Sequence, residues 1–271
     1  MSSALSHMAP DALVVNEVIE PGLVRLTLNR PNAFNALSEA MLTALQTELD
    51  AIAANPAIRV VVIAGAGKAF CAGHDLKEMR AAYQDAKSVG YYKALFSQCS
   101  KMMLTLQKMS QPVIAQVHGI ATAAGCQLVA MADLAVADAE TRFAVSGINY
   151  GLFCSTPSVG LSRNMLRKQA MEMLLTGDFI DAAQAREQGL INQVVQSEVL
   201  PQAALTMARK IMAKPEAAVR MGKQLFYSQL EVGIEQAYQM AGQTMACNMM
   251  DADALEGVQA FIEKRKPNYK L

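Results

Sequence analysis

Two stretches place small residues where a ligand could meet the backbone. The first is AFCAGHDLKEM, residues 69–79, and the second is VHGIATAAGCQLVA, residues 117–130. Each follows an apolar run and precedes a helical pattern. Small residues let backbone N–H groups approach a bound group closely. A helix N-terminus aims such groups at negative charge. Two converging loops of this kind could hold one carbonyl oxygen as it becomes an oxyanion. The same pattern also serves close helix–sheet packing, and the spacing alone leaves both readings open. Neither loop fits a Walker or dinucleotide fingerprint.

The elements around these loops are legible. VRLTLNR alternates, with Val24, Leu26 and Leu28 facing one way, as in a half-buried strand. Ser38 is placed to cap a helix whose apolar side is Leu42, Leu45, Leu49 and Ile52, and Asn55-Pro56 stops it. VVVIA (60–64), PVIAQVHG (112–119) and LAVADA (134–139) read as buried strands of the parallel kind. Met165, Leu166, Ala170, Met173 and Leu174 form a helical stripe closed by Gly177, and DAAQAREQG starts on an Asp cap. From Leu200 onward no strand is expected. Strands alternating with helices indicate an α/β fold with a mainly parallel sheet.

Composition removes several function classes. The 271 residues carry 24 basic and 24 acidic side chains, so there is no electrostatic reason to expect nucleic acid or an acidic membrane as partner. The five cysteines, Cys71, Cys99, Cys126, Cys154 and Cys247, include no C-x-x-C pair and suit reduced thiols. No Lys or Arg precedes Arg25, so neither a secretory signal nor a transit peptide is expected, and the cytoplasm is the expected compartment. The longest nearly apolar stretch, 119–132, is too short to span a membrane.

The ordered set NRPNAFNALSEAM, AFCAGHDLKEM, PVIAQVHGIATAAGCQL, AMEMLLTGDFI, AREQGLIN and EGVQAFIEKRKPNY resembles the crotonase, or enoyl-CoA hydratase/isomerase, superfamily from Val24 to Asn268. SGINYGLFCSTPSVGLSR and ATAAGCQLVA resemble its branch called enoyl-CoA hydratase domain-containing protein 3. The resemblance implies an α/β crotonase-type spiral of ββα turns with a helical C-terminal trimerisation region. Residues 1–12 would be a loose N-terminus, 13–199 the spiral core with the acyl-CoA site, and 200–271 the trimerisation helices of a homotrimer or dimer of trimers. It implies acyl-CoA thioesters as substrates, coenzyme A entering only as part of the substrate, no tightly bound cofactor and no metal. By motif matching, the backbone N–H groups of His74 and Ala124 would hold the thioester oxygen of an enolate. Ala72, Asp75, Leu76, Lys77, Ser146, Tyr150, Cys154, Phe261 and Lys264 would contact the substrate, with Arg265 and Lys266 as further phosphate contacts.

One departure from the family pattern bears on the reaction. Hydratases of this family use two glutamates to activate water. Gln127 and Gly147 stand at those positions here. Gln keeps the size of Glu but has no titratable group. General acid–base catalysis contributes about 10²–10⁴-fold, so efficient hydration is not expected. Two alternatives follow. The sequence GHD is similar to that of the methylmalonyl-CoA decarboxylase branch, which has Tyr where this chain has Cys154, and decarboxylation needs less acid–base machinery. The other is acyl-CoA binding without turnover. Among remaining groups, His74 and Cys154 are the candidate acid and base, Asp75 is expected to order its loop, and His118 to satisfy a strand end.

Overall fold

The computed structural model describes residues 12–84 and 88–269. The expected loose N-terminus lies outside them except for its last residue. The chain opens with a hairpin, β1 (Val14–Glu20) against β2 (Leu23–Leu28). Then come α1 (Glu39–Ala53), β3 (Val60–Gly65), α2 (Leu76–Ala81), α3 (Ser88–Lys108), β4 (Val113–Val117), β5 (Ile120–Thr122), α4 (Ala124–Met131), β6 (Leu134–Asp138) and β7 (Arg142–Ala144). A 3₁₀ turn, Ser146–Tyr150, leads to α5 (Ser155–Asn164) and α6 (Arg167–Thr176). They are followed by β8 (Ile180–Asp181), α7 (Ala182–Glu187) and β9 (Gln193–Val195). The last four helices are α8 (Leu200–Met212), α9 (Glu216–Gln229), α10 (Ile234–Met249) and α11 (Ala252–Ile262).

The chain winds as a spiral with two walls. One wall is a six-stranded sheet in the order β1-β2-β3-β4-β6-β9, parallel from β2 onward. The other is the small sheet β5-β7-β8, extended by isolated bridges between Cys71 and Ala121 and between Leu37 and His74. Each turn gives one strand to each wall. The loop at 71–74 and the segment at 120–124 are therefore hydrogen-bonded neighbours, although 50 residues apart in sequence.

Burial on both faces explains the uninterrupted apolar strands. Val61 and Ile63 of β3 pack into the spiral interior with Leu42, Leu45 and Leu49 of α1. Val60 and Val62 point to the opposite face, where α8 covers them with Leu200, Ala204 and Ala208. Ser38 caps α1 as expected, accepting from the Met41 N–H at 3.1 Å. Asp181 caps α7 in a reciprocal capping box with Gln184. The α6 stripe differs at one position. The helix begins at Arg167, which leaves Leu166 exposed while Met165, Ala170, Met173 and Leu174 are buried.

The α9 helix is tied to the spiral by a buried charge. Lys223 Nζ donates to Leu106 O, Gln111 O and Asp133 Oδ2, each at 2.7 Å. Asp133 also accepts from the Val113 N–H at 2.6 Å and the Tyr227 hydroxyl at 2.8 Å. No helix among the described residues is long and apolar enough to cross a membrane.

Candidate active site

Between the walls opens a cavity of about 540 Å³. The first loop reaches it because Asn35 holds the chain before it. Asn35 is fully buried, and its amide donates to Ala66 O at 2.9 Å, Ala69 O at 2.8 Å and Phe70 O at 3.2 Å while accepting from the Arg30 N–H. The Thr122 hydroxyl then donates to Ala72 O at 3.0 Å, pinning the first loop to the second. Asp75 ends the loop. It caps α2 by accepting from the Lys77 and Glu78 N–H groups, and it pairs with Arg30 at 2.6 Å. Burial alone would raise the Asp75 carboxyl, but the Arg30 guanidinium and these amides hold it below the usual carboxylate range.

The second loop is turned by Ala123, which has φ 49° and ψ −119°. That conformation is rare outside glycine and costs about 1–3 kcal/mol. It starts α4 at Ala124 and leaves the Ala124 N–H as one of the helix's unpaired first-turn donors. The His74 N–H likewise has no hydrogen-bond partner among the described residues. The two sites are close together. Gly73 has φ 91°, and a Cβ there would stand 2.8 Å from Ala123 Cβ and 3.2 Å from the Ala124 nitrogen. A side chain at Gly73 would thus wedge the loops apart. His74 and Ala124 both line the cavity, and free amides on two such neighbouring loops are the kind of donor pair that can share one oxygen acceptor.

Of the residues expected at the site, Ala72, His74, Leu76, Ala124, Ser146, Gly147, Tyr150 and Cys154 line the cavity. Asp75 and Lys77 stand beside it on the α2 turn without lining it. Gln127 lies one turn beyond Ala124 on α4 and is also outside the lining. It is 3% exposed, and its Oε1 has no hydrogen-bond partner among the described residues. Phe261 and Lys264 are elsewhere. Phe261, at the end of α11, borders a separate groove with Pro215 and Tyr269 and is 85% exposed. His118 donates from Nε2 to Gly67 O at 2.9 Å, the strand-end role expected of it.

Gly147 has a physical reason to lack a side chain. A Cβ there would lie 2.6 Å from Leu152 O and 2.7 Å from Cys154 Sγ. The Cys154 thiol fills the space in which a longer residue at 147 would begin. That thiol donates to Val145 O at 3.5 Å, and burial pushes its pKa up, so it stays protonated and a poor nucleophile. Among the described residues, the cavity lining includes three titratable side chains, His74, Tyr150 and Cys154, and no carboxylate. Asn35, Thr122 and the apolar wall of Phe34 and Phe96 were not singled out in the sequence. The only signal for Asn35 was its place in NAFNAL.

Comparison with known proteins gives a consistent picture. A model of the enoyl-CoA hydratase/isomerase family matches residues 18–271. The mitochondrial enoyl-CoA hydratase domain-containing protein 3 of Xenopus laevis is 42% identical over 262 residues, covering 97% of this chain and 87% of that protein. The crystal structure of an enoyl-CoA hydratase from Mycobacterium smegmatis superposes with a TM-score of 0.92 at 59% identity, covering 96% of this chain and 99% of that one. That of human enoyl coenzyme A hydratase domain-containing protein 3 superposes at 0.89 with 40% identity, covering 95% and 100%.

Proposed function

The chain belongs to the enoyl-CoA hydratase/isomerase family, and on that premise we propose that it binds acyl-CoA thioesters in the cavity beside His74 and stabilises a thioester enolate there. The observation that carries this reading is the pair of unpaired N–H groups, His74 and Ala124, brought together by two loops hydrogen-bonded across the spiral. Backbone donors fixed in advance at a developing oxyanion need no reorganisation when charge arrives. Efficient hydration is not part of the reading. The positions of the two usual carboxylates hold Gln127 and Gly147, and Gly147 has no room for a replacement. Loss of CO₂ from a malonyl-type thioester is a second route to the same enolate, and a lining that holds no carboxylate among the described residues favours it.

The test is calorimetric binding of crotonyl-CoA together with its hydration, followed as loss of enone absorbance. Binding with turnover far below the ordinary enzymatic range of about 1–10³ s⁻¹ is expected. Turnover within that range would overturn the reading of Gln127 and Gly147. Absence of binding would overturn the thioester site itself.

We also assign the C-terminal helices to a homotrimer, single or paired. Ile234, Tyr238 and Met245 of α10, Met250 just after it and Phe261 of α11 are each more than two-thirds exposed large apolar side chains, an exposure that suits burial against another chain. In this assignment Phe261 and Lys264 reach the CoA site of a neighbouring subunit, which fits their absence from the lining of their own cavity. Light scattering is expected to give three or six times the chain mass. A monomer would contradict the assignment.

A further inference from the structure

The side chain of His74 holds a proton acceptor that nothing among the described residues satisfies. Nδ1 lies 3.3 Å from Leu37 O. A carbonyl can only accept, so Nδ1 carries the hydrogen and Nε2 bears the lone pair. Nε2 is buried and has no hydrogen-bond partner among the described residues. Buried acceptors in this state are uncommon, and each costs about 1–3 kcal/mol. Leu37 is fully buried and does not line the cavity, whereas His74 and Phe96, packed edge to face at 5.5 Å, both do. The two ring nitrogens point to opposite sides of an imidazole. Anchoring Nδ1 on Leu37 therefore leaves Nε2 on the other edge of a ring whose residue borders the cavity, where it is covered until the ring or its neighbours shift as a substrate binds.

The geometry points to His74 Nε2 as the catalytic base of the site, removing and returning the proton on the carbon next to the thioester carbonyl. The proposal rests on the acyl-thioester reading above. The step balances without another reactant. Nε2 takes the α-proton, and the C–H electron pair becomes the carbon–carbon double bond of the enolate. The carbonyl π pair moves to oxygen, which gathers its charge against the His74 and Ala124 N–H groups. The imidazolium keeps its Nδ1–H on Leu37 O, and the reverse step returns the proton to carbon. The other titratable side chains of the lining are less suited. The Cys154 thiol donates to Val145 O, and Tyr150 is mostly exposed. Burial lowers the His74 pKa from 6.5, so the neutral form that this step uses is the form present at neutral pH.

The experiment is deuterium incorporation at the α-carbon of butyryl-CoA in heavy water, read by mass spectrometry, with butyryl-CoA affinity measured on the same samples. The variants are His74→Asn, which can still donate to Leu37 O but has no Nε2, and His74→Gln as a second replacement. The wild type is expected to incorporate deuterium. Both variants are expected to lose about 10²–10⁴-fold in rate while still binding the thioester, because any side chain at 74 leaves the backbone N–H in place. Variants that exchange at the wild-type rate would overturn the proposal. So would a wild type that binds butyryl-CoA without exchange, which needs no variant to fold. A wild type that fails to bind would overturn the thioester reading and this proposal with it.

Discussion

Lys223→Met is expected to destabilise the fold by about 3–5 kcal/mol, the usual cost of removing one partner from a buried ion pair. The side chain is 6% exposed and the Asp133 carboxylate 13% exposed, so neither charge has water to fall back on. Burial pushes Asp133 up and Lys223 down, each toward its neutral form, and their mutual attraction opposes that drift. Met approximates the Lys stem in volume but strands the carboxylate with two donors, Val113 N–H and Tyr227 OH, and no positive charge. It also leaves Leu106 O and Gln111 O without their donor. Urea unfolding at one fixed protein concentration reads the loss, since association would otherwise shift the midpoint. A second substitution separates charge from packing. Adding Asp133→Asn to Lys223→Met removes the stranded charge and is expected to restore part of the stability. A Lys223→Met variant within about 1 kcal/mol of wild type would show that the pair is not buried as described.

Ala124→Pro is expected to lower any enolate-forming rate by about 10²–10³-fold, or roughly 3–4 kcal/mol, while leaving the chain folded. Proline is tolerated at the first position of a helix, where the missing N–H had no helical acceptor. Ala124 is that position of α4. Ala123 before it, at φ 49° and ψ −119°, is neither helical nor in the extended region that proline favours in its predecessor, so the substitution adds strain at that turn as well as deleting one amide donor, and circular dichroism of the variant checks that it stays folded. Deuterium incorporation into butyryl-CoA measures the rate. A readout independent of turnover is the absorption of a bound conjugated enoyl thioester, which shifts to longer wavelength when its carbonyl is polarised. That shift is expected to shrink in the variant. An unchanged shift and rate would remove the Ala124 N–H from the site.

Local order along the chain made the fold readable. The α1 stripe and its Ser38 cap, the three apolar parallel strands and the Asp181 cap all depend on neighbours close in sequence. The edge strand β1 was missed because Val14–Glu20 is only partly buried and does not alternate cleanly. The strands β5, β7, β8 and β9, of two or three residues each, are too short to carry a period. The candidate site was legible where it is made of motif and backbone, at His74 and Ala124, which both line the cavity. It was not legible where tertiary neighbours decide. Ala123 gives no sign of its left-handed φ, since glycine is the residue that announces such a turn. Asn35 is one amide among many until the fold sets three carbonyls around it. Gly147 reads as an absent glutamate, yet the Leu152 carbonyl and the Cys154 sulfur are what crowd a side chain at that position. Gln127 reads as a pocket residue, and the cavity wall ends one turn before it.

The Lys223–Asp133 bond also sets an order of events during synthesis. The partners are 90 residues apart, and at ribosomal speeds of about 5–20 residues per second the second arrives roughly 5–20 s after the first. In that interval β4 and β6 can pair and α4 can pack, but the aspartate at the end of α4 has no counter-charge. The nascent spiral must keep that corner hydrated or protonated until α9 emerges. The docking of α9 then supplies the counter-charge, and a chain cut short just before Lys223 would hold all nine described strands without the cation that pairs with Asp133.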